Sequence, residues 1–426
     1  MQTIPTNGHH ARDRAVAATA AGTAGADEFR MECREVYKIF DPQPEPALAM
    51  LRGGAKKDEV LEKLGVAVGV DAASFAVRPG EIFVVMGLSG SGKSTLVRLL
   101  NRLIEPSAGA VLLDGEDLTR MSAKELIAVR RRDMSFVFQS FALMPHLSAL
   151  ENAAFGLALA GVAKDKRREA AMAALEKVGL GTYAERLPSE MSGGMQQRVG
   201  LARALAKNPS IMFMDEAFSA LDPLIRTGMQ DELLRLQAEN RRTIIFISHD
   251  LDEAVRIGDR IAIMESGRIV QVGTPTEILL NPADDYVRTF FRHVDPGKVL
   301  CAGDVADAQA APSWTADETA SAAAAPGLMR ELDESGSVHA HLVDERGRYR
   351  ATLARDRLAD AARLGRTLGD ARVDGIAPVR EETRLSEIMG SVAEAASPVP
   401  VVCSEGVLRG SISRARLLGV LQRAHH

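Results

Sequence analysis

The chain has 426 residues, 46% of them hydrophobic and 26% charged, with a formal net charge of −5. That length calls for two or three domains, the composition is that of a soluble globular protein, and the mild acidity gives no reason to expect nucleic-acid binding. No run reaches the ~20 apolar residues of a membrane span. Cys33, Cys301 and Cys403 lie far apart, show no metal-type spacing and leave one over if two pair, which reads as free thiols in a reducing compartment.

In chain order, residues 1–27 are Ala-rich without the apolar centre of a signal peptide, and are expected to be a disordered tail. Glu32 to Phe40 reads as a strand ending in an aromatic. Residues 41–64 look inserted: Pro42, Pro44 and Pro46 open them and two short helices follow. Val70 to Val77 returns as a strand. Ile82 to Met86 is a buried strand, and Thr95 to Leu100 a helix. Between them lies Gly87-Leu88-Ser89-Gly90-Ser91-Gly92-Lys93-Ser94, which fits the G-x-x-x-x-G-K-S phosphate-binding loop. Its glycines let backbone N–H groups turn inward around a phosphate chain, and the helix start adds a positive end. Lys93 can reach the β- and γ-phosphates, and Ser94 can ligate Mg²⁺.

Further on, short strands are expected near 111–115 and 135–139, the second ending on Gln139. From Ser140 to Met191 the pattern is helical, and Ser192-Gly193-Gly194 then leads to a helix over Val199–Ala206. Ile211 to Glu216 is a buried strand ending in two carboxylates, and Thr243 to Ser248 another, followed by His249. Ile261 to Gly273 reads as a hairpin. Residues 297–326, rich in Ala, Asp and Ser, are expected to be a linker. Beyond it, Gly347–Leu358 aligns without gaps on Gly406–Leu417, a constant offset of 59 residues, which implies a pseudo-symmetric pair.

The succession of phosphate loop, Gln139, Ser192-Gly193-Gly194, Asp215-Glu216, Ser219-Ala220-Leu221-Asp222 and His249 resembles the nucleotide-binding subunit of ABC transporters, from about Glu32 to Val294. Met86–Gly90, Phe138–His146 and Asp215–Thr227 are similar in particular to the ATP-binding subunit of glycine betaine/proline betaine uptake systems. The resemblance implies an α/β fold: a P-loop NTPase ABC ATPase domain at 28–296, with a mixed sheet core and a helical subdomain at about 140–191. A small α+β CBS-like domain at 327–426 would follow, its first copy degraded and the leading helix of that copy near Ser321–Ala325.

The cofactors implied are ATP and Mg²⁺. Gly87, Ser89, Gly90, Ser91, Gly92, Lys93, Ser94 and Thr95 would bind the nucleotide, with Phe40 stacking on adenine and Tyr37 as the rival aromatic. Ser94, Gln139 and Asp215 would hold the metal; Glu216 would be the base, with His249 touching the γ-phosphate. Ser192, Gly193, Gly194 and Asp222 would close the site from a second copy in a head-to-tail dimer. Met195 and Met191 replace the family's common Gln and Leu, a variant similar to the betaine subgroup.

The resemblance also implies integral membrane permease subunits that meet Gln139–His146, indirectly a substrate-binding protein, and a peripheral place on the cytoplasmic face of the inner membrane. Arg357 and Arg416 stand where nucleotide-binding CBS members carry Asp. With Arg350, Arg355, Arg409 and Arg414 they could form one basic surface, for which an anionic lipid surface is the candidate partner. The alternatives are an importer for another small solute, such as an amino acid, and a non-transport ABC ATPase. A repair-type ATPase would need long coiled coils between residues 92 and 191, where no sustained heptads occur.

Overall fold

The computed structural model describes residues 29–324 and 326–425, so the expected tail at 1–27 lies outside the described residues. The chain forms two units, one running to His249 with Ala262–Ile269 added, the other made of Asp250–Ile261 and the residues from Val270 onward.

The first unit opens on β1 (Met31–Ile39), which bulges where Glu35 adopts φ 45°. The insertion forms two helices, α1 (Glu45–Arg52) and α2 (Lys57–Leu64), which bury Ala47, Leu51 and Val60 against Tyr37 and Ile39. β2 (Val68–Val77) returns antiparallel to β1. β3 (Ile82–Met86) is buried at every position and leads into α3 (Lys93–Leu100). β4 (Ala108–Leu113) and β5 (Glu116–Asp117) complete an antiparallel sheet in the order β2-β1-β4-β5.

α4 (Ala123–Arg132) escapes the periodicity reading, although Ser122 and Glu125 form a capping box at its start. β6 (Met134–Val137) follows it. The helical subdomain begins later than expected: residues 138–148 are irregular, and helix starts at α5 (Ala149–Leu159), capped by Ser148, before α6 (Lys164–Lys177). α7 (Gly193–Ala206) starts earlier than expected, because the Ser192 side chain accepts the Met195 N–H and caps it. β7 (Ile211–Asp215), α8 (Pro223–Asn240) and β8 (Thr243–Ser248) end this stretch.

β3, β8, β7 and β6 pair in parallel in that order. Parallel strands covered on both faces are apolar throughout, as Ile-Phe-Val-Val-Met and Ile-Met-Phe-Met are here. The phosphate loop, Gln139, Glu216 and His249 therefore all follow the carboxyl ends of neighbouring parallel strands, where such sheets bind ligands.

α9 (Leu251–Ile257) belongs to the second unit, and the hairpin of β9 (Arg260–Glu265) and β10 (Arg268–Gly273) returns its turn, 262–269, to the first. α10 (Pro275–Leu280) and α11 (Asp285–Phe291) follow.

The expected linker is folded. It carries α12 (Pro296–Val299), α13 (Ala302–Val305) and β11 (Ser313–Thr315), and β11 pairs with a later strand. Trp314 is the cause: α14 (Pro326–Ser335) presents Gly327 to it, so closely that a Cβ there would lie 2.7 Å from the indole. α14 is also the leading helix of the first copy, which the sequence reading placed at 321–325; residue 325 itself is outside the described residues. β12 (His339–Val343), β13 (Tyr349–Ala354) and α15 (Arg355–Arg363) complete that copy. β14 (Val379–Arg380), α16 (Leu385–Glu394), β15 (Val399–Val402), β16 (Leu408–Ile412) and α17 (Arg414–His425) form the second.

The two copies share one topology, an edge strand parallel to an antiparallel pair, so the first is not degraded. Leu328, Leu332, Leu342, Leu353 and Leu358 give it a buried core of its own. The offset of 59 residues is an axis of pseudo-symmetry in space. Arg348 bridges Val407, its own equivalent, while Tyr349 N–H donates to Gly406 O at 3.0 Å and Leu408 N–H donates to Gly347 O at 2.9 Å.

The expected basic surface is not built. Arg350 pairs with Asp344, Arg355 with Asp333, Arg357 with Asp374 and Arg409 with Glu381. Arg414 and Arg416 donate to the carbonyls of Ala395 and Val305. Acidic neighbours thus compensate four of the six charges.

Candidate nucleotide-binding site

The loop between β3 and α3 is shaped by two glycines that no other residue could replace. Gly87 has φ 153°, and a Cβ on it would lie 2.1 Å from the Met264 carbonyl oxygen. Gly92 has φ 102°, and its Cβ would lie 2.3 Å from the Gly69 carbonyl oxygen. The backbone is thus held between β9 and the start of β2, in a glycine-rich turn of the kind that can present N–H groups to an anion.

Lys93 is buried, and its Nζ donates to Gly87 O at 2.8 Å and Leu88 O at 3.0 Å. Burial lowers its pKa, and the nearby Glu216 and Asp215 push it back up. Ser94 Oγ donates to Asp215 Oδ1 at 3.0 Å. Burial raises the Asp215 pKa, against the Ser94 hydrogen bond, which lowers it. A cation would relieve that burial, and a serine hydroxyl beside a carboxylate is the hard-oxygen set that Mg²⁺ takes.

Glu216 sits at φ 46° and its N–H donates to Ile247 O at 3.1 Å. Two groups converge on one of its oxygens: Gln139 Nε2 donates to Oε2 at 3.3 Å, and His249 Nδ1 lies 3.3 Å from the same atom. Gln139 also donates to Ser219 Oγ at 3.2 Å. A cleft of about 510 Å³ is lined by Gly69, Ser89, Gly90, Gly92, Lys93, Ser94, Thr95, Glu216 and His249.

Phe40 is exposed, and a Cβ on Gly69 would lie 2.8 Å from its ring, so the aromatic rests on a residue of the cleft wall. Tyr37 is buried in the cluster under α1 and α2, with the Arg52 guanidinium over its ring. Ser192, Gly193, Gly194 and Asp222 are not part of the cleft wall. Gly194 and Asp222 are linked through Ile225: Asp222 Oδ1 accepts the Ile225 N–H at 3.1 Å, and Ile225 lies against Gly194. The sequence reading missed Gly69 and the Met264 carbonyl, which no local spacing could have disclosed. It also gave Ser219 no role, although that residue anchors Gln139.

A family model described as ABC transporter matches residues 70–219. The chain is 51% identical over 400 residues to the glycine betaine/proline betaine transport system ATP-binding protein ProV of Escherichia coli (strain K12), across 93% of this chain and 98% of that protein. It is 48% identical over 393 residues to the glycine betaine transport ATP-binding protein OpuAA of Bacillus subtilis (strain 168), across 92% of each. Among solved structures, cbiO1 from Clostridium perfringens, part of the ABC transporter complex cbiONQ, superposes with a TM-score of 0.50 at 22% identity, covering 63% of this chain and 96% of that one. That likeness shows the fold.

Proposed function

This chain belongs to the ATP-binding subunits of ABC transporters, in the glycine betaine group, and on that footing we propose how its residues turn ATP hydrolysis into uptake of a compatible solute. The observation that carries the reading is the convergence of Gln139 and His249 on Glu216 Oε2, in a cleft that Lys93 and Ser94 also line.

Phe40 stacks on the adenine, supported by Gly69 beneath its ring. The N–H groups of 87–94 enclose the β- and γ-phosphates, and the Lys93 ammonium exchanges its two carbonyls for phosphate oxygens. Ser94 and Asp215, with Gln139, would hold Mg²⁺, which when bound neutralises phosphate charge. Glu216 takes a proton from the attacking water. Gln139 and His249 fix the direction of its carboxylate, and His249, half exposed, extends toward the γ-phosphate.

Ser192, Gly193 and Gly194 head a helix of 14 residues, and its free N–H groups are an anion site with nothing in its own cleft to hold. A second copy arranged head to tail places that site, with Asp222, over the γ-phosphate of its partner, so the chain works as a dimer with two composite sites. Permease subunits complete the transporter through residues 139–146, and a substrate-binding protein delivers the solute. Among the described residues no helix is long and apolar enough to cross a membrane. As the ATP-binding subunit of a transport system, the chain acts at the cytoplasmic face of the membrane that holds the permease. The pseudo-symmetric pair at the C-terminus serves as a CBS-like regulatory module, a reading supported by the matched topology of its copies.

The deciding experiment measures uptake of labelled glycine betaine, proline and choline in cells lacking and regaining this gene. Restored uptake of glycine betaine supports the reading. Restored uptake of an amino acid alone would replace the solute and keep the mechanism.

A further inference from the structure

Between β6 and α5 the chain makes a turn in which two residues that are not glycine occupy the left-handed region, Phe141 at φ 59° and Ala142 at φ 46°. L-residues with a Cβ disfavour that region, so the surroundings must hold them there. Two side chains do so. Asn152, fully buried in α5, accepts the Met144 N–H at 2.8 Å and donates to the carbonyls of Met144, Leu147 and Ser148, which fixes the far end of the turn. Arg203, near the end of α7, fixes the near end: Nη1 donates to Ala142 O at 2.6 Å and Nη2 to Phe141 O at 3.0 Å. Partial burial lowers the Arg203 pKa.

The turn packs against α7. A Cβ on Gly193 would lie 3.8 Å from Phe141 Cζ, and one on Gly200 would lie 3.7 Å from Phe141 O, so the phenylalanine lies along the helix. At the other end of the same segment, Gln139 donates to Glu216 and Ser219. Only Ser140 separates it from the first residue of the strained pair, and the Ala142 N–H donates to Ser140 O at 2.6 Å.

We infer that Arg203 is a positioning residue for ATP hydrolysis: by holding the Phe141 and Ala142 carbonyls it sets the left-handed turn that aims Gln139 at Glu216, and it ties that aim to the helix that begins at Ser192. The inference rests on the catalytic reading of Glu216 given above. It gives α7 two jobs, an anion site at its start and a clamp on the glutamine turn near its end. A force on the anion site is thereby felt at Gln139. The planar fork of an arginine holds two adjacent carbonyls in one fixed geometry, whereas an ammonium on a flexible stem holds them less rigidly.

The test uses the subunit assembled with its permease. Arg203→Met and Arg203→Lys are compared with the unsubstituted protein for the kcat and KM of ATP hydrolysis, for nucleotide affinity and for thermal melting. The expected result for Arg203→Met is a kcat lower by about 10- to 100-fold with KM and nucleotide affinity unchanged, since an error of an ångström in aim has that size. Arg203→Lys should recover only a part. Glycine adopts the left-handed region freely, so Ala142→Gly added to Arg203→Met should restore most of the lost kcat. If the unsubstituted transporter hydrolyses ATP and Arg203→Met keeps its kcat, the inference is overturned and the catalytic reading stands. A loss that Ala142→Gly does not restore also overturns it, and so does a loss of nucleotide affinity together with melting temperature, because the arginine then acts on the fold as a whole. Absence of hydrolysis in the unsubstituted transporter would instead overturn the function itself.

Discussion

Replacing Glu216 by Gln isolates the proton-accepting step from everything else in the cleft. The amide has nearly the shape of the carboxylate, so the left-handed backbone at φ 46° and the neighbours Gln139 and His249 stay in place. What is lost is a group that can take a proton from water. General-base catalysis is worth about 10²–10⁴-fold. At about 1.4 kcal/mol for each factor of ten, this removes roughly 3–5 kcal/mol of transition-state stabilisation. ATP binding should persist, because the substitution leaves the phosphate loop, Lys93 and the Ser94–Asp215 contact in place. Hydrolysis should therefore stop with the nucleotide still held. The pair of copies should then be trapped as a stable dimer, visible by size-exclusion chromatography with ATP and absent with ADP. The assay is phosphate release from the purified protein, alongside nucleotide affinity. Turnover by Glu216→Gln at the unsubstituted rate would refute the assignment of the base, and so would a parallel loss of ATP binding.

Lys93→Ala should abolish ATP binding in a fluorescent-nucleotide titration while leaving the melting temperature nearly unchanged. Gly87→Ala should prevent the loop from forming, because its Cβ would lie 2.1 Å from the Met264 carbonyl oxygen; nucleotide binding and thermal stability should fall together. Phe40→Ala should raise the KM for ATP several-fold, a stacking loss of about 1–2 kcal/mol, with little effect on melting, whereas Tyr37→Ala should cost about 3–5 kcal/mol of stability. His341 is buried beside Thr352, and burial, with the charge of His339 adding to it, pushes its pKa down to about 4 from the ordinary 6.5. The unfolded chain therefore holds a proton that the folded one sheds. Stability is full above pH 6.5 and is lost as the pH falls toward 4, by up to about 3 kcal/mol. Thermal melting against pH should show this slope, and His341→Phe should flatten it.

What could be read from the sequence was whatever chemistry forces into a short spacing. A phosphate loop needs its glycines, lysine and serine within eight residues, and strand-ending carboxylates need an apolar run before them, so both stand out in one dimension. The supports of the same site do not. Gly92 is a glycine because Gly69 O passes 2.3 Å from where its Cβ would be, and Gly87 because Met264 O does the same at 2.1 Å. Those approaches are made by the sheet topology, and nothing within ten residues of either glycine announces them. Phe40 against Tyr37 is the same case. Both aromatics sit near the end of one strand, and only the packing of the inserted helices on Tyr37 leaves Phe40 as the ring beside the cleft.

The C-terminal unit departs from its sequence expectation for a different reason. Ala-rich, Asp-rich and Ser-rich sequence is the composition of a linker, and that average hid two particular residues. Trp314, the chain's one tryptophan, is an expensive residue to leave in water, and Pro326 is a helix opener followed by Leu328 and Leu332 on one face. Given weight over composition, these two mark an edge strand and a leading helix. The offset of 59 residues could have supplied the same correction by another route. It spans twelve aligned positions, and those positions include both glycine turns that meet across the pseudo-axis. Two copies can exchange reciprocal hydrogen bonds, Tyr349 to Gly406 and Leu408 to Gly347, only when both present the same turn in the same setting. A degraded copy could not do that. The reciprocity is itself the argument that each half retains its complete fold, because the interface between them depends on it.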